Sequence, residues 1–149
     1  MRLALMARPR SGDWLEDEIF GWHNAGVGTV VSLLEPQEVR ELGLSDEARF
    51  CGAHGIEFLS FPIKDRGEPT SIGKTVALVS DLATRIERGI AVAVHCRAGI
   101  GRSGLIVGCV MQKLGVPMEE VFPSLTRARG LPVPDTSSQA DWTKEFSRR

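Results

Sequence analysis

GIAVAVHCRAGIGRSGLIVGCVMQKL, residues Gly89 to Leu114, decides how the chain is read. Ile90 to Val94 is an unbroken apolar run rich in β-branched residues. It is followed by a glycine-rich turn and then by a helix-like segment opening at Ser103 and Gly104, which reads as strand, loop, helix. A strand apolar at every position suits the centre of a parallel sheet covered on both faces. Such a strand delivers the loop that follows it to a ligand crevice at the carboxyl edge.

That loop is Cys96-Arg97-Ala98-Gly99-Ile100-Gly101-Arg102-Ser103. Its glycines let successive backbone N–H groups turn inward, and the following helix aims its positive end at the same point. The segment is therefore built to hold a dianion. Arg102 adds a fork of donors matching two phosphate oxygens and keeps its charge at any working pH. Cys96 lies in this electropositive bowl, the environment in which a cysteine becomes a thiolate nucleophile.

Two phosphate loops of other kinds fit less well. Gly99, Gly101 and Gly104 spell G-x-G-x-x-G, with Glu119 twenty residues past Gly99, as a dinucleotide site would have it. Such a domain normally opens with this unit, whereas 95 residues precede Cys96 and 34 follow Gly115. A Walker loop would need Lys where Arg102 stands. An inert buried cysteine leaves the joint occurrence of glycines, Arg102, Ser103 and helix unexplained.

His95-Cys96, five residues, then Arg102-Ser103 resembles the signature loop of cysteine-dependent protein phosphatases, in the form shared by tyrosine and dual-specificity enzymes. The resemblance implies attack by Cys96 on phosphorus to give a phosphocysteine, then hydrolysis. It makes Arg97, Ala98, Gly99, Ile100, Gly101 and Arg102 the phosphate cradle through both steps. Ser103 is implied to stabilise the departing sulfur, and His95 to orient the loop. Neither a cofactor nor a metal is implied.

The rest of the chain sets the frame. With 149 residues and 42% hydrophobic content it suits one domain, residues 1–149. A net charge of −1 gives no basic surface for nucleic acid, so attraction of an anion must be local. Three widely spaced cysteines make no disulfide framework and fit a reducing, cytoplasmic compartment. MRLALMARPR is too short in apolar character for a signal peptide, and no stretch approaches a membrane span.

Strands are expected at Leu3 to Ala7, Thr29 to Leu34, Ile56 to Phe61 and Ile90 to Val94. Helices are expected from Trp14 to about His23 with Asp13 as N-cap, from Pro36, and from Ser45-Asp46 to near Gly55. Others run from Ile72 to Arg88 with Ser71 as cap, after the signature loop, from Pro117 to about Arg129, and at the end to Phe146. The alternation predicts an α/β fold, a mostly parallel central sheet with helices on both faces, like that of the protein tyrosine phosphatases.

An alkoxide leaving group departs poorly unless a carboxylic acid protonates it. Pro62-Ile63-Lys64-Asp65-Arg66-Gly67-Glu68-Pro69 is an exposed loop after the third strand, and Asp65 is the chosen acid, with Glu68 as the alternate. In the resembling phosphatases the acid lies roughly thirty residues before the nucleophile; here the separation is 31. Gln139, just before the last helix, resembles the glutamine that positions the hydrolytic water in tyrosine phosphatases, or is an ordinary first-turn residue. Arg127 and Arg129 are candidates for the pocket rim, against plain solvated charges. Cys51-x-x-His54 with His95-Cys96 has the inventory for zinc, but adjacent His and Cys on a strand point to opposite faces. Cys51 is instead core, or a partner for oxidised Cys96.

No tyrosine occurs anywhere, so the tyrosine-rich segment that deepens the pocket of larger tyrosine phosphatases is missing. A shallow pocket is expected, open to phosphoserine and phosphothreonine as well as phosphotyrosine. The reading is a metal-independent phosphatase of phosphorylated proteins or small phosphomonoesters, monomeric. A silent phosphate-binding module, a phosphoinositide phosphatase, and a sulfurtransferase or arsenate reductase are the alternatives.

Overall fold

A computed structural model describes residues 2–148; Met1 and Arg149, the ends of the expected domain, lie outside the described residues. The elements run β1 (Leu3–Met6), α1 (Asp13–Asn24), β2 (Val27–Ser32), α2 (Pro36–Glu41), α3 (Glu47–Ala53), β3 (Glu57–Ser60), α4 (Ile72–Glu87), β4 (Ala91–His95), α5 (Gly101–Lys113), α6 (Met118–Arg129) and α7 (Ser137–Phe146). The strands form one sheet in the order β1-β4-β2-β3, and all three pairings are parallel. β4 is central and buried along its whole length, because its continuous apolar run leaves no face for water.

Alternate residues of β4 feed two cores. Val92 and Val94 join Val31, Leu33, Leu105, Ile106 and Val110 on the α4 and α5 side, while Ala93 joins Leu15, Ile19, Val30, Leu44 and Cys51 on the α1 and α3 side. The period-two rule therefore sends Cys96 into the first core and the His95 ring toward the second. α5 is buried from Gly101 to Met111. Each of its large aliphatic side chains contributes roughly 1.5–3 kcal/mol by burial, which anchors the loop at its start.

Three local expectations need correction. Asp13 is the first residue of α1, and the N-cap is Gly12, with φ at 67° and no side-chain cap; the carboxylate there meets the helix dipole instead. α5 begins at Gly101 rather than Ser103, so Arg102 and Ser103 sit inside its first turn. The second strand stops at Ser32, two residues short of Leu34, where the chain turns toward α2. Ser71 does cap α4, its Oγ accepting from the Lys74 N–H.

Candidate active site

Because every strand is parallel, Met6, Ser32, Ser60 and His95 end on one edge, and the loop after β4 rests there. A pocket of about 100 Å³ opens above it. The signature loop contributes Cys96, Arg97, Ala98, Ile100, Gly101 and Arg102; the loop after β3 contributes Asp65 and Arg66; the segment before α7 and its first turn contribute Asp135 and Gln139. Cys96 is 3% exposed at its floor. Ile100, the N-cap of α5, makes no side-chain cap, which leaves the first-turn N–H groups available to an anion.

Gly99 does not line the pocket. Its φ is +74°, and a Cβ there would lie 2.3 Å from the carbonyl carbon of Met6, so the loop presses back against the end of β1 in a left-handed conformation that favours glycine and with no room for a side chain. Arg129 secures the same turn from behind: its Nη2 donates to the Ala98 carbonyl at 2.9 Å and its Nε to that of Gly99 at 3.2 Å. It braces the loop rather than rimming the pocket, and Arg127 reaches only Ser124.

Arg102 is 2% exposed and enclosed by acceptors. Nη1 donates to Glu38 Oε1 at 2.7 Å and to the Ile63 carbonyl at 2.9 Å; Nη2 donates to Glu38 Oε2 at 3.0 Å and to Asp65 Oδ1 at 3.2 Å. Among the described residues Nε has no acceptor. Burial works against the Arg102 charge, and Glu38, helped by Cys96 and Asp65, outweighs it, so its pKa is raised. Burial likewise opposes the Glu38 carboxylate, and Arg102, the Glu35 N–H and Arg97 still hold it below the usual glutamate value.

Glu38 is a site residue that sequence reading missed. The available signal was the E-x-x-E spacing after Leu34 and Pro36 at the first helical position. Glu35 and Glu38 form a capping box at the start of α2, and that fold-back turns the Glu38 carboxylate inward.

Asp65 has a side chain 55% exposed, at the pocket mouth. Glu68, the alternate acid, accepts from the Ser138 hydroxyl and does not line the pocket. The acid loop is tied to the tail at two further points: Arg66 Nη1 to Asp135 Oδ2 at 2.8 Å, and Gln139 Nε2 to the Gly67 carbonyl at 3.1 Å. Arg66 has φ +59°, a left-handed conformation uncommon outside glycine. Gln139 is fully buried, closes a capping box with Thr136 and borders the pocket, so the helix-start reading and the pocket reading both apply to it. Asp135 was not anticipated.

Among the described residues Ser103 Oγ is buried without a partner, in the first turn of α5 beside the signature loop. His95 is fully buried, with Nε2 2.6 Å from Glu47 Oε2 and Nδ1 3.2 Å from the Cys96 carbonyl. His54 meets Glu16, and among the described residues no three His, Cys, Asp or Glu gather as metal ligands. Burial and then Glu47 push the Cys51 thiol up to about 12, which makes it a poor attacker on an oxidised sulfur at neutral pH. Cys109 is also raised to about 12, by burial. It borders a larger cavity of about 340 Å³ between α4, α5 and α7 that is lined by no residue of the signature loop.

The sequence matches a family model described as "Polymorphic toxin system, DSP-PTPase phosphatase" over residues 4–116. A cyclin-dependent kinase inhibitor 3 of Rattus norvegicus is 30% identical over 131 residues, covering 75% of this chain and 61% of that protein. A protein tyrosine phosphatase domain-containing protein 1 of Danio rerio is 33% identical over 119 residues, covering 73% of this chain and 16% of that protein. The chain thus spans less than two thirds of these relatives. Among solved structures, kinase associated phosphatase superposes with a TM-score of 0.89 at 22% identity, covering 98% of this chain and 85% of the other. The active form of Tk-PTP superposes with a TM-score of 0.82 at 26% identity, covering 100% and 93%.

Proposed function

The chain belongs to the DSP-PTPase phosphatase family, and from that membership we propose that residues 1–149 form one catalytic domain hydrolysing phosphomonoesters through a phosphocysteine on Cys96. The observation that carries this is Arg102. Glu38 and Ile63 hold one side of its guanidinium, and Nε has no acceptor among the described residues, at a pocket whose floor is Cys96.

The phosphate settles on the uncapped start of α5, its oxygens taking the loop N–H groups and the Arg102 donors. The Cys96 thiolate attacks phosphorus as the bond to the leaving oxygen breaks, and Asp65 gives that oxygen its proton. Asp65 accepts from Arg102 Nη2 at 3.2 Å, which holds its carboxyl beside the guanidinium that takes the phosphate and within reach of the leaving oxygen. In the second step Asp65 takes a proton from water, whose oxygen attacks phosphorus as the P–S bond breaks. The lone Ser103 hydroxyl has its donor available for the returning sulfur, and Gln139 beside the pocket orients the water. The rigid cradle supplies the charge stabilisation that a metal would otherwise give.

Among the described residues no aromatic side chain lines the pocket, so nothing there selects a phenyl ring over the alkyl chain of phosphoserine or phosphothreonine. A similar structure, PTPMT1, was solved with PI(5)P, and the only loop cation besides Arg102 is Arg97. Protein phosphate is therefore the first substrate class and a phosphoinositide the second. Among the described residues no helix is long and apolar enough to cross a membrane. A nucleophilic thiol works in a reducing compartment such as the cytoplasm. The decisive experiment is turnover of p-nitrophenyl phosphate with EDTA present, abolished in Cys96→Ser. Phosphopeptide binding without turnover would make the chain a binding module instead.

A further inference from the structure

His95 and Glu47 are fully buried, come from different elements 48 positions apart, and meet at 2.6 Å. The two ring nitrogens face two oxygens. Nε2 faces a carboxylate and Nδ1 faces the Cys96 carbonyl, and a carbonyl accepts but never donates. A neutral imidazole with its one proton on Nδ1 leaves Nε2 bare against a carboxylate; with its proton on Nε2, it leaves Nδ1 bare against a carbonyl. Both N–H donors together satisfy both acceptors. The short Nε2 contact also suits a charge-assisted hydrogen bond.

We propose that Glu47 is a positioning residue for the nucleophile, holding His95 as an imidazolium whose second N–H fixes the Cys96 peptide at the start of the phosphate cradle. The pair is neutral as a whole, yet its positive end is the one that touches Cys96. A buried cation bonded to that carbonyl favours a negative sulfur on the same residue, and it sets the direction in which the loop leaves β4. The Leu33 N–H donates to the His95 carbonyl at 2.9 Å, so the peptide on the other side of the ring is pinned as well. Beside the pair among the described residues lie the Cys51 thiol of α3, which burial and Glu47 push up to about 12, and the Trp22 ring of α1, whose centroid is 6.5 Å from that of His95, and neither brings a competing charge.

This rests on Cys96 being the nucleophile, and its test needs no turnover. In the full chain labelled with 15N-histidine, both His95 ring nitrogens are expected to carry protons at pH 7, each coupled to its own hydrogen. A single-proton tautomer at pH 7 overturns the proposal, including the case in which Glu47 holds the proton. In Glu47→Gln one ring proton is lost at pH 7, and the pH profile of Cys96 alkylation by iodoacetate, followed from pH 4 to 9, moves upward, with alkylation about tenfold slower on its rising limb. Glu47→Asp restores part of both. An unchanged alkylation profile in a folded Glu47→Gln protein overturns it. Should Glu47→Gln not fold, the wild-type spectrum alone decides.

Discussion

Glu38 and Arg102 stand or fall together, because each is buried and each is the other's main counter-charge. Removing one partner of such a pair leaves the other charge uncompensated, so Glu38→Ala is expected to cost about 3–5 kcal/mol in urea unfolding and to weaken vanadate binding as Arg102 loses its orientation. The pair also sets an acid limit. Glu38 titrates in the fold below its ordinary value of 4.5, so its contribution is complete above about pH 4.5 and is lost as pH falls through the lower folded value. Chemical denaturation between pH 6 and 3 checks this: the wild type should lose stability across that range, and Glu38→Gln should lose less of it. At Gly99 steric room decides. Gly99→Ala places a methyl group against the β1 backbone at a positive φ, and the loop must shift to relieve it. Phosphate affinity measured by calorimetry should fall at least about tenfold while the core on either side of the sheet stays folded; retained affinity would mean that the turn tolerates a side chain.

At the scale of elements the site joins one rigid part to one tethered part. α5 holds the cradle through buried aliphatic packing, whereas the acid loop hangs on polar ties to the tail, of which Arg66 to Asp135 is exposed on both sides. Exposed pairs contribute within about 1 kcal/mol, so Asp135→Asn should leave thermal stability nearly unchanged while lowering kcat on alkyl phosphates by letting Asp65 wander. Asp65→Asn should slow alkyl phosphates far more than aryl ones, whose leaving groups need little protonation; equal slowing of both would remove Asp65 from the acid role. Such local chemistry is what the sequence made legible. The apolar run before Cys96, the glycines after it and the Ser71 cap each name an element through its own residues. Glu47 and Asp135 were silent, and the capping spacing at Glu38 did not name its role, because an acid on a short helix or in a loop looks solvated until its partner is known; the partners of Glu38, Glu47 and Asp135 lie 64, 48 and 69 positions away. Arg129 misled for the same reason, since the carbonyls it supports belong to a loop 30 positions earlier.

For the whole molecule the parallel sheet brings the segments after β2, β3 and β4 together at Arg102. Its guanidinium takes an acceptor from the helix after β2 and two from the segment after β3, and its own helix follows β4. An anion gripped by Arg102 therefore draws together elements spread over most of the chain, and its binding energy appears as stability of the entire fold. A ligand that binds only the native state stabilises by RT ln(1 + [L]/Kd), about 2.7 kcal/mol at a hundredfold excess over Kd. For a chain of this size that corresponds to a rise of roughly 5–10 °C in Tm. Vanadate at that excess should produce such a rise in the wild type, and hydrogen exchange should slow in the segments after β2 and β3 as well as in the signature loop. Arg102→Ala should show neither effect. Protection confined to the signature loop would mean that the three segments are not coupled through the guanidinium.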